Sequence, residues 1–369
     1  MLLIDNSAVR EVLSMADCID VQDSCFRRIA TGQAIHRPRI DMYAPTGRDD
    51  DYYRWGTMEG VDAQLGVMAI RMKSDVISWP LDTESRWTEE KYCSAPGTYC
   101  GLIWLFSTRD GVPLAIIQDG YLQHFRVGGG AGLGVRYLAR SDAKSVGIIG
   151  SGGMARTYLR AICNERPIKT VKVYSPNPVN RSHFAAEMAD ALKIEVRPVS
   201  SPKEAVANSA IVATCTDSMD PLLFGEWLEP GMHVTNLGPS EFDESVYERA
   251  EIVVRQGVGG LDLGETDRIQ KLRGHSPIAY IAGSSEEMKR IPEPMKGPSM
   301  FTRNAPTLME VMTGTHPGRT SRDEVSAYIN VGNQGLQFAA VGDLVYRRAK
   351  ESGLGRELPT EWFLQDIRD

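Results

Sequence analysis

No stretch of this 369-residue chain approaches the roughly 18–20 consecutive apolar residues that a membrane span requires. Positive charge is not in excess. Lys and Arg number 41 against 48 Asp and Glu, a formal net charge of −7. That balance gives no broad electrostatic footprint for nucleic acid or anionic lipid. Cysteine is sparse and dispersed, at 18, 25, 93, 100, 163 and 215. No pair forms C-x-x-C, and the six histidines show neither zinc spacing nor a catalytic triad. The expectations are therefore no metal site, reduced thiols and a cytoplasmic setting. The opening MLLIDN meets Asp5 and Asn6 too early to read as a secretory signal. Internal repeats, low-complexity tracts and long linkers are also missing. What remains is 42% hydrophobic and long enough for a sizeable core, with two domains favoured by length.

The chain changes rhythm along its length. SAVREVLSMADCIDVQDSCFRRIATGQ places Val9, Val12, Leu13, Ala16, Ile19 and Val21 near a 3.6-residue period, which predicts helix. From about 35 to 120 come strand-like pieces: RPRIDMYA, LGVMAIRMKSDVIS, TYCGLIWLFST and PLAIIQD. Asp110-Gly111 between the last two is a hairpin signal. A helix rich in small residues follows, VGGGAGLGVRYLARSD, with five glycines between Gly128 and Gly134. Each would weaken an isolated helix by about 1 kcal/mol, so close packing or approach to a ligand is expected there. From Ser145 onward, short apolar strands alternate with helices through AIVATCT, HVTNLG and VYERAEIVV, the βαβ rhythm of a parallel doubly wound sheet. Residues 260–320 read as an irregular insertion, and the stretch from Ser321 to Gly355 as a long helix interrupted near Gly332 and Gly335. The fold class expected is α/β, with a Rossmann dinucleotide-binding domain at 128–320 and a discontinuous α+β substrate and dimerisation domain at 1–127 and 321–369.

The stretch SVGIIGSGGMART carries the first chemical statement. Gly150-Ser151-Gly152-Gly153-Met154-Ala155 fits G-x-G-x-x-G/A between an apolar strand and a helix, the context that gives this otherwise weak pattern meaning. Gly150 suits the tight turn, Gly152 the approach of backbone amides to a pyrophosphate, and Ala155 close helix–strand packing. The helix start offers free N–H groups and the positive end of its dipole. The second strand ends in Ser175-Pro176-Asn177, with Arg181 nearby, where an NAD-specific site usually carries Asp or Glu. No carboxylate there would repel a 2′-phosphate, and an arginine can pair with one. NADP(H) is favoured, with NAD(H) as the alternative. Thr214, Cys215 and Thr216 end another strand at the sheet edge that a dinucleotide crosses, where Cys215 reads as a packing residue.

Four stretches together resemble the ornithine cyclodeaminase/mu-crystallin family: RPR at 37–39, QHFRVGGGAGLGVRYLAR, VGIIGSGGMART and NVGNQGLQFAAVGDLVYRRAKESGLG. The resemblance implies a homodimer with a Rossmann domain between the two parts of the other domain. It implies hydride transfer at the α-carbon of an α-amino or α-imino acid. Arg126 matches the arginine that holds the substrate carboxylate, and Arg39 a second one on the same side. The family lysine falls in AIRMKSDVISWP, where Arg71 and Lys73 both qualify, two apart and so on one face of a strand. Lys73 suits proton transfer and Arg71 carboxylate binding, though the roles can be reversed. Gly332 matches a glycine near the nicotinamide. Where a cyclodeaminase has an aspartate, this chain has GPSEFDES, with Glu241 and Asp243 as candidate substitutes. The leading expectation is an NAD(P)H-dependent amino/imino acid oxidoreductase. The alternatives are ornithine cyclodeaminase and a non-catalytic NADPH-binding, crystallin-like protein.

Overall fold

The structure is a computed structural model. It describes residues 1–81, 88–238, 240–258, 264, 266, 268–273, 276–292 and 304–367. Two sheets organise the described residues. The first is all parallel, in the order Glu195–Pro198, Thr170–Tyr174, Ser145–Ile149, Ile211–Thr214, His233–Asn236, Ser326–Ile329, Ile252–Arg255. The reversal of strand order beside Ser145–Ile149 is the switch point at which such sheets bind ligands. Helix Gly153–Glu165 follows strand Ser145–Ile149, and helix Pro178–Leu192 follows Thr170–Tyr174. Buried Val146, Ile148, Tyr158, Leu159, Val171, Val173 and Phe184 form the core between them.

Ser326–Ile329 enters this sheet as a strand between His233–Asn236 and Ile252–Arg255, whereas the sequence pattern placed it in a helix of the other domain. All four of its residues are buried. A central parallel strand covered on both faces shows no alternation, so its period cannot be read. The helix proper starts only at Gln334 and runs to Glu351.

The second sheet is larger and mostly antiparallel. Its central strands are Ala34–Pro45, Tyr52–Asp62, Val67–Ser78, Cys100–Ser107 and Pro113–Gln118. A hairpin of Ile269–Arg273 and Ser276–Ile281 joins its edge, pairing in parallel with Ala34–Pro45. Residues 260–320, read from sequence as an irregular insertion, therefore contribute two strands to the sheet. Of that segment, 260–263, 265, 267, 274–275 and 293–303 lie outside the described residues. Along Tyr52–Asp62 and Val67–Ser78 buried residues alternate strictly with more exposed ones. Tyr52 and Met58 point to the core, while Tyr53 and Trp55 lie on the outer face. Helix Gln334–Glu351 lies on the inner face, so close that a Cβ on Gly335 would fall 1.8 Å from the Glu59 carbonyl oxygen.

Helix Gly120–Leu138 joins the two halves. A Cβ on Gly129 would meet Gln22, on Gly128 the Thr157 backbone, and on Gly134 the Tyr328 ring, all at 2.7 Å or less. The glycines expected to mark close packing are therefore contact points for three different elements, and tertiary contact offsets their poor helix propensity.

Candidate functional site

The inward face of Val67–Ser78 carries Arg71, Lys73 and Asp75 at successive positions, about 7 Å apart from one to the next. Each meets a different partner. Arg71 donates from Nε to Asp119 at 2.6 Å and also bonds the Tyr99 hydroxyl. Asp75 takes a two-pronged bond from the fully buried Arg54, at 2.9 and 2.8 Å, and Arg54 also reaches Glu89 at 2.7 Å. Lys73 lies between them, 4% exposed, with Nζ 3.7 Å from Asp41 Oδ2. Burial, followed by the charges of Arg39 and Arg54, holds the Lys73 ammonium well below the usual lysine range. A lysine whose ammonium is weakened by burial gives up its proton more readily than an exposed one, a role open to Lys73 and closed to Arg71.

Asp41 and Lys73 meet across a glycine. Gly56 pairs with Asp41 on one side and Lys73 on the other. A Cβ on Gly56 would sit 2.1 Å from Asp41 Oδ1 and 2.6 Å from Lys73 Cε. Gly56→Ala is expected to push the pair apart, destabilising the fold by about 1–3 kcal/mol and lowering kcat about tenfold or more, with cofactor affinity retained. Steady-state kinetics beside a cofactor titration checks this. An unchanged kcat would show that the spacing does not matter.

Arg39, expected at the substrate carboxylate, instead makes a two-pronged pair with Asp41, Nε–Oδ1 3.0 Å and NH2–Oδ2 2.5 Å. Arg126 differs from every other buried arginine on this face. Among the described residues its guanidinium donates only to amide oxygens, Gln123 Oε1 at 3.1 and 2.8 Å and Gln337 Oε1 at 2.9 Å. Burial, then the neighbouring Arg71 charge, pushes its pKa down to about 9. Phe338 lies under both guanidiniums, 4.8 Å from Arg126 and 5.7 Å from Arg71. A buried cation bonded only to neutral groups is costly and calls for an anion. Asp119, Gln123 and Arg126 recur at helical spacings on Gly120–Leu138 and the residue before it, which puts them on one face.

The glycine turn packs against the same helix, since a Cβ on Gly153 would lie 3.0 Å from the His124 ring. Gly150 has φ +116° and lies against the Cys215 carbonyl, 2.2 Å from an added Cβ. Around Gly152 an added Cβ would meet nothing within 4 Å. Gly152 is the N-cap of Gly153–Glu165 and supplies no side chain to the helix amides. Open space, free amides and a helix start are what a pyrophosphate needs, so the residues present fit a dinucleotide. Ala155 is fully buried and Met154 half-buried. Ser151 donates to Ser175 at 2.9 Å, and Arg181 reaches the Ser175 carbonyl at 2.8 Å. Asn177 caps Pro178–Leu192 through bonds to the Val179 and Asn180 amides. Arg156, not singled out by the sequence pattern, clasps the turn at the Ser151 and Gly152 carbonyls.

Cys215 is buried, and burial raises its thiol well above the usual range, which fits packing and not nucleophilic attack. Gly332 has φ +112° and crowds the Gly257 backbone, a demand on the main chain itself. Glu241 and Asp243 are not brought to Lys73. Glu241 is fully buried and accepts from the Thr214 hydroxyl, the Thr216 amide and hydroxyl, and the Leu237 and Gly238 amides. Those five bonds tie the ends of two strands together. Asp243 caps helix Glu244–Arg249. Both acids proposed to replace the cyclodeaminase aspartate are thus engaged in local structure. The residues missed by sequence reading are Asp41, Gly56, Tyr99, Asp119, Gln123, Arg156 and Gln337. Only Asp41 carried a signal, two residues beyond Arg39 on the same strand.

A model of the ornithine cyclodeaminase/mu-crystallin family matches residues 87–353. The chain is 28% identical over 263 residues to a Delta(1)-pyrroline-2-carboxylate reductase of Bacillus cereus, covering 71% of this chain and 74% of the relative. Its fold matches that of Thermococcus litoralis Delta(1)-pyrroline-2-carboxylate reductase, solved with NADH and L-proline, at a TM-score of 0.76 and 25% identity, over 97% of this chain and all of the other. It also matches an archaeal alanine dehydrogenase dimer with bound NAD, at a TM-score of 0.74 and 22% identity over 97% and 99% of the two chains. The chain belongs to the ornithine cyclodeaminase/mu-crystallin family.

Proposed function

We propose that this protein is an NAD(P)H-dependent oxidoreductase acting at the α-carbon of an α-amino or α-imino acid. The observation that carries the reading is Arg126, a buried guanidinium that among the described residues has amide hydrogen-bond partners alone, on the helix against which the dinucleotide turn packs. A substrate carboxylate is the anion it lacks, and a planar fork suits that group. The pyrroline-2-carboxylate reductase and alanine dehydrogenase relatives support the same chemistry.

The dinucleotide would lie on the Gly150–Ala155 turn, with its adenosine end toward Ser175, Asn177 and Arg181 and its other end along Thr214–Thr216 and Gly332. When bound, it supplies or accepts a hydride at the substrate α-carbon. The chain's own work is orientation and proton handling. Arg126, backed by Arg71, fixes the carboxylate. Lys73 gives a proton to the substrate nitrogen side in reduction and takes one in oxidation. Holding both groups on rigid neighbouring elements supplies rate through proximity. Arg39 acts through Asp41 in this scheme.

Arg181 supports NADP(H) as the preferred cofactor, at a strand end without a carboxylate. Arg181→Ala is expected to weaken NADPH about tenfold and leave NADH nearly unchanged, read by fluorescence titration of each cofactor. Equal losses for both would remove the basis for the preference. Homodimerisation is supported by the outer face of the large sheet, which presents Ile35, Met42 and Tyr53 exposed beside half-buried Trp55, Trp104 and Phe106. Six free cysteines agree with a reducing, cytoplasmic setting. Among the described residues, no helix is long and apolar enough to cross a membrane.

Absorbance at 340 nm tests the reading. Purified protein is given NADPH or NADH with cyclic imino acids, or with 2-oxo acids plus ammonia or methylamine. Parallel wells contain L-ornithine and NAD, assayed for ammonia. Loss of reduced cofactor with an imine is the expected result. Ammonia from ornithine without net cofactor change would replace the reading with cyclisation.

A further inference from the structure

Lys73 is held by a relay of side chains that starts on the hairpin 269–281. Asp41 is fully buried and ends up between three groups. Arg39 grips both of its oxygens, Lys73 approaches Oδ2 at 3.7 Å, and Ser276 donates its hydroxyl to the same Oδ2. The Ser276 hydroxyl also meets the Tyr43 hydroxyl. Tyr43 and Asp41 share the inward face of one strand, and Ser276 comes from a strand added alongside it. Gly56 leaves the gap through which carboxylate and ammonium meet.

From this geometry we infer that Asp41 is the positioning residue for Lys73, and that Ser276 fixes Asp41 in the orientation this requires. The inference rests on the oxidoreductase reading, because it concerns the group that moves the proton in that reaction. The groups facing Lys73 are Arg39 and Arg54, which disfavour its ammonium, and Asp41 and Asp75, which favour it. Arg54 also engages Glu89, and Tyr43 lies near Arg54, Glu89 and Asp41. Asp75 is gripped from both oxygens by Arg54, which also holds Glu89, and among the described residues Lys73 makes its ion pair with Asp41. Asp41 has to answer both Arg39 and Lys73. Burial pushes the Asp41 carboxyl up, but Arg39 and then Lys73 pull it below the usual carboxylate range. It therefore stays ionised through the cycle. The proton that leaves Lys73 Nζ goes to the substrate side, and the lysine becomes a neutral amine beside an unchanged carboxylate.

The hairpin is thereby part of the catalytic apparatus, although Ser276 lies 203 positions beyond Lys73 in the sequence. A structural role for Ser276 alone would be to satisfy the Tyr43 hydroxyl and hold down a sheet edge. The two roles differ in what they do to proton affinity.

The test is the pH profile of kcat/KM in the reductive direction for the full-length wild type, Asp41→Asn and Ser276→Ala. Protonated Lys73 is the active form there, so activity falls as pH rises through its pKa. Removing the Asp41 charge lowers that pKa, and the basic limb moves to lower pH by about one unit or more. Ser276→Ala moves it the same way by less, and serves if Asp41→Asn does not fold. Arg126→Lys raises KM without moving the limb. Folded variants whose kcat falls while the limb stays in place would overturn the inference and leave Asp41 and Ser276 as packing groups. A wild type that oxidises no reduced cofactor with any imine would overturn the reading itself, and the inference with it.

Discussion

Arg126→Met lowers kcat/KM by about 10²–10³-fold, while the protein's thermal midpoint stays the same or rises. The first half follows from removing a charge-assisted, two-pronged hold on a carboxylate in a water-poor site. Breaking a buried ionic contact by deleting one partner costs about 3–5 kcal/mol. Some of that survives as residual binding to Arg71, which keeps the loss toward the lower end. The second half follows from what Arg126 touches in the protein alone. Among the described residues its hydrogen-bond partners are Gln123 and Gln337, and its charge is opposed by burial and by Arg71 more than the Asp119 carboxylate favours it. Deleting it relieves that charge and frees two amide oxygens, costs of opposite sign. Gain in stability with loss of function marks a functional site. A fall in the midpoint with kcat/KM retained would make Arg126 an ordinary packing residue. The same substitution at Arg71 is expected to destabilise, because it strands Asp119.

The second large effect separates two glycines of one motif. Gly150→Ala is expected to destabilise the parallel-sheet domain by several kcal/mol. Its φ of +116° is a conformation that L side chains rarely adopt, and the new Cβ would press on the Cys215 carbonyl at 2.2 Å. Strain of this kind costs about 1–3 kcal/mol before the steric overlap is added. Gly152→Val, by contrast, is expected to leave the midpoint within about 2 °C and weaken NAD(P)H binding at least about tenfold. A Cβ on Gly152 touches nothing within 4 Å, so the protein tolerates it and the dinucleotide does not. Thermal melts beside fluorescence titrations separate the two outcomes. Equal stability losses at both positions would mean that the motif is only a strand–helix turn.

These contrasts show which features can be read from sequence. Gly150, Gly152 and Ala155 were legible because a dinucleotide turn is local, with its strand, glycines and helix contiguous. Arg126 was legible through the family resemblance. What was not legible depends on register between distant strands. Gly56 carried no signal in the sequence, and only the pairing with Asp41 and Lys73 gives it a purpose. Ser276 lies in a segment whose composition suggested irregular structure. Its strand forms by joining a sheet edge from another part of the chain. Ser326–Ile329 merged with the following helix in sequence because a fully buried four-residue strand has no alternation to show. Glu241 and Asp243 illustrate the opposite limit. They lie at the right point along the chain, yet sequence position does not say where a carboxylate points. One holds two loops together and the other starts a helix.

The central claim is hydride transfer at the α-carbon of a substrate held by Arg126. The most direct measurement uses nicotinamide cofactor deuterated at the transferring position, with an imino acid that the protein reduces, and reads the product by mass spectrometry and proton NMR. The account predicts one deuterium per product molecule, on the α-carbon. It also predicts that Arg126→Met forms this deuterated product about 10²–10³-fold more slowly at subsaturating substrate. A product free of deuterium, or an amino acid formed from a diamine with ammonia release and no net cofactor change, would contradict it.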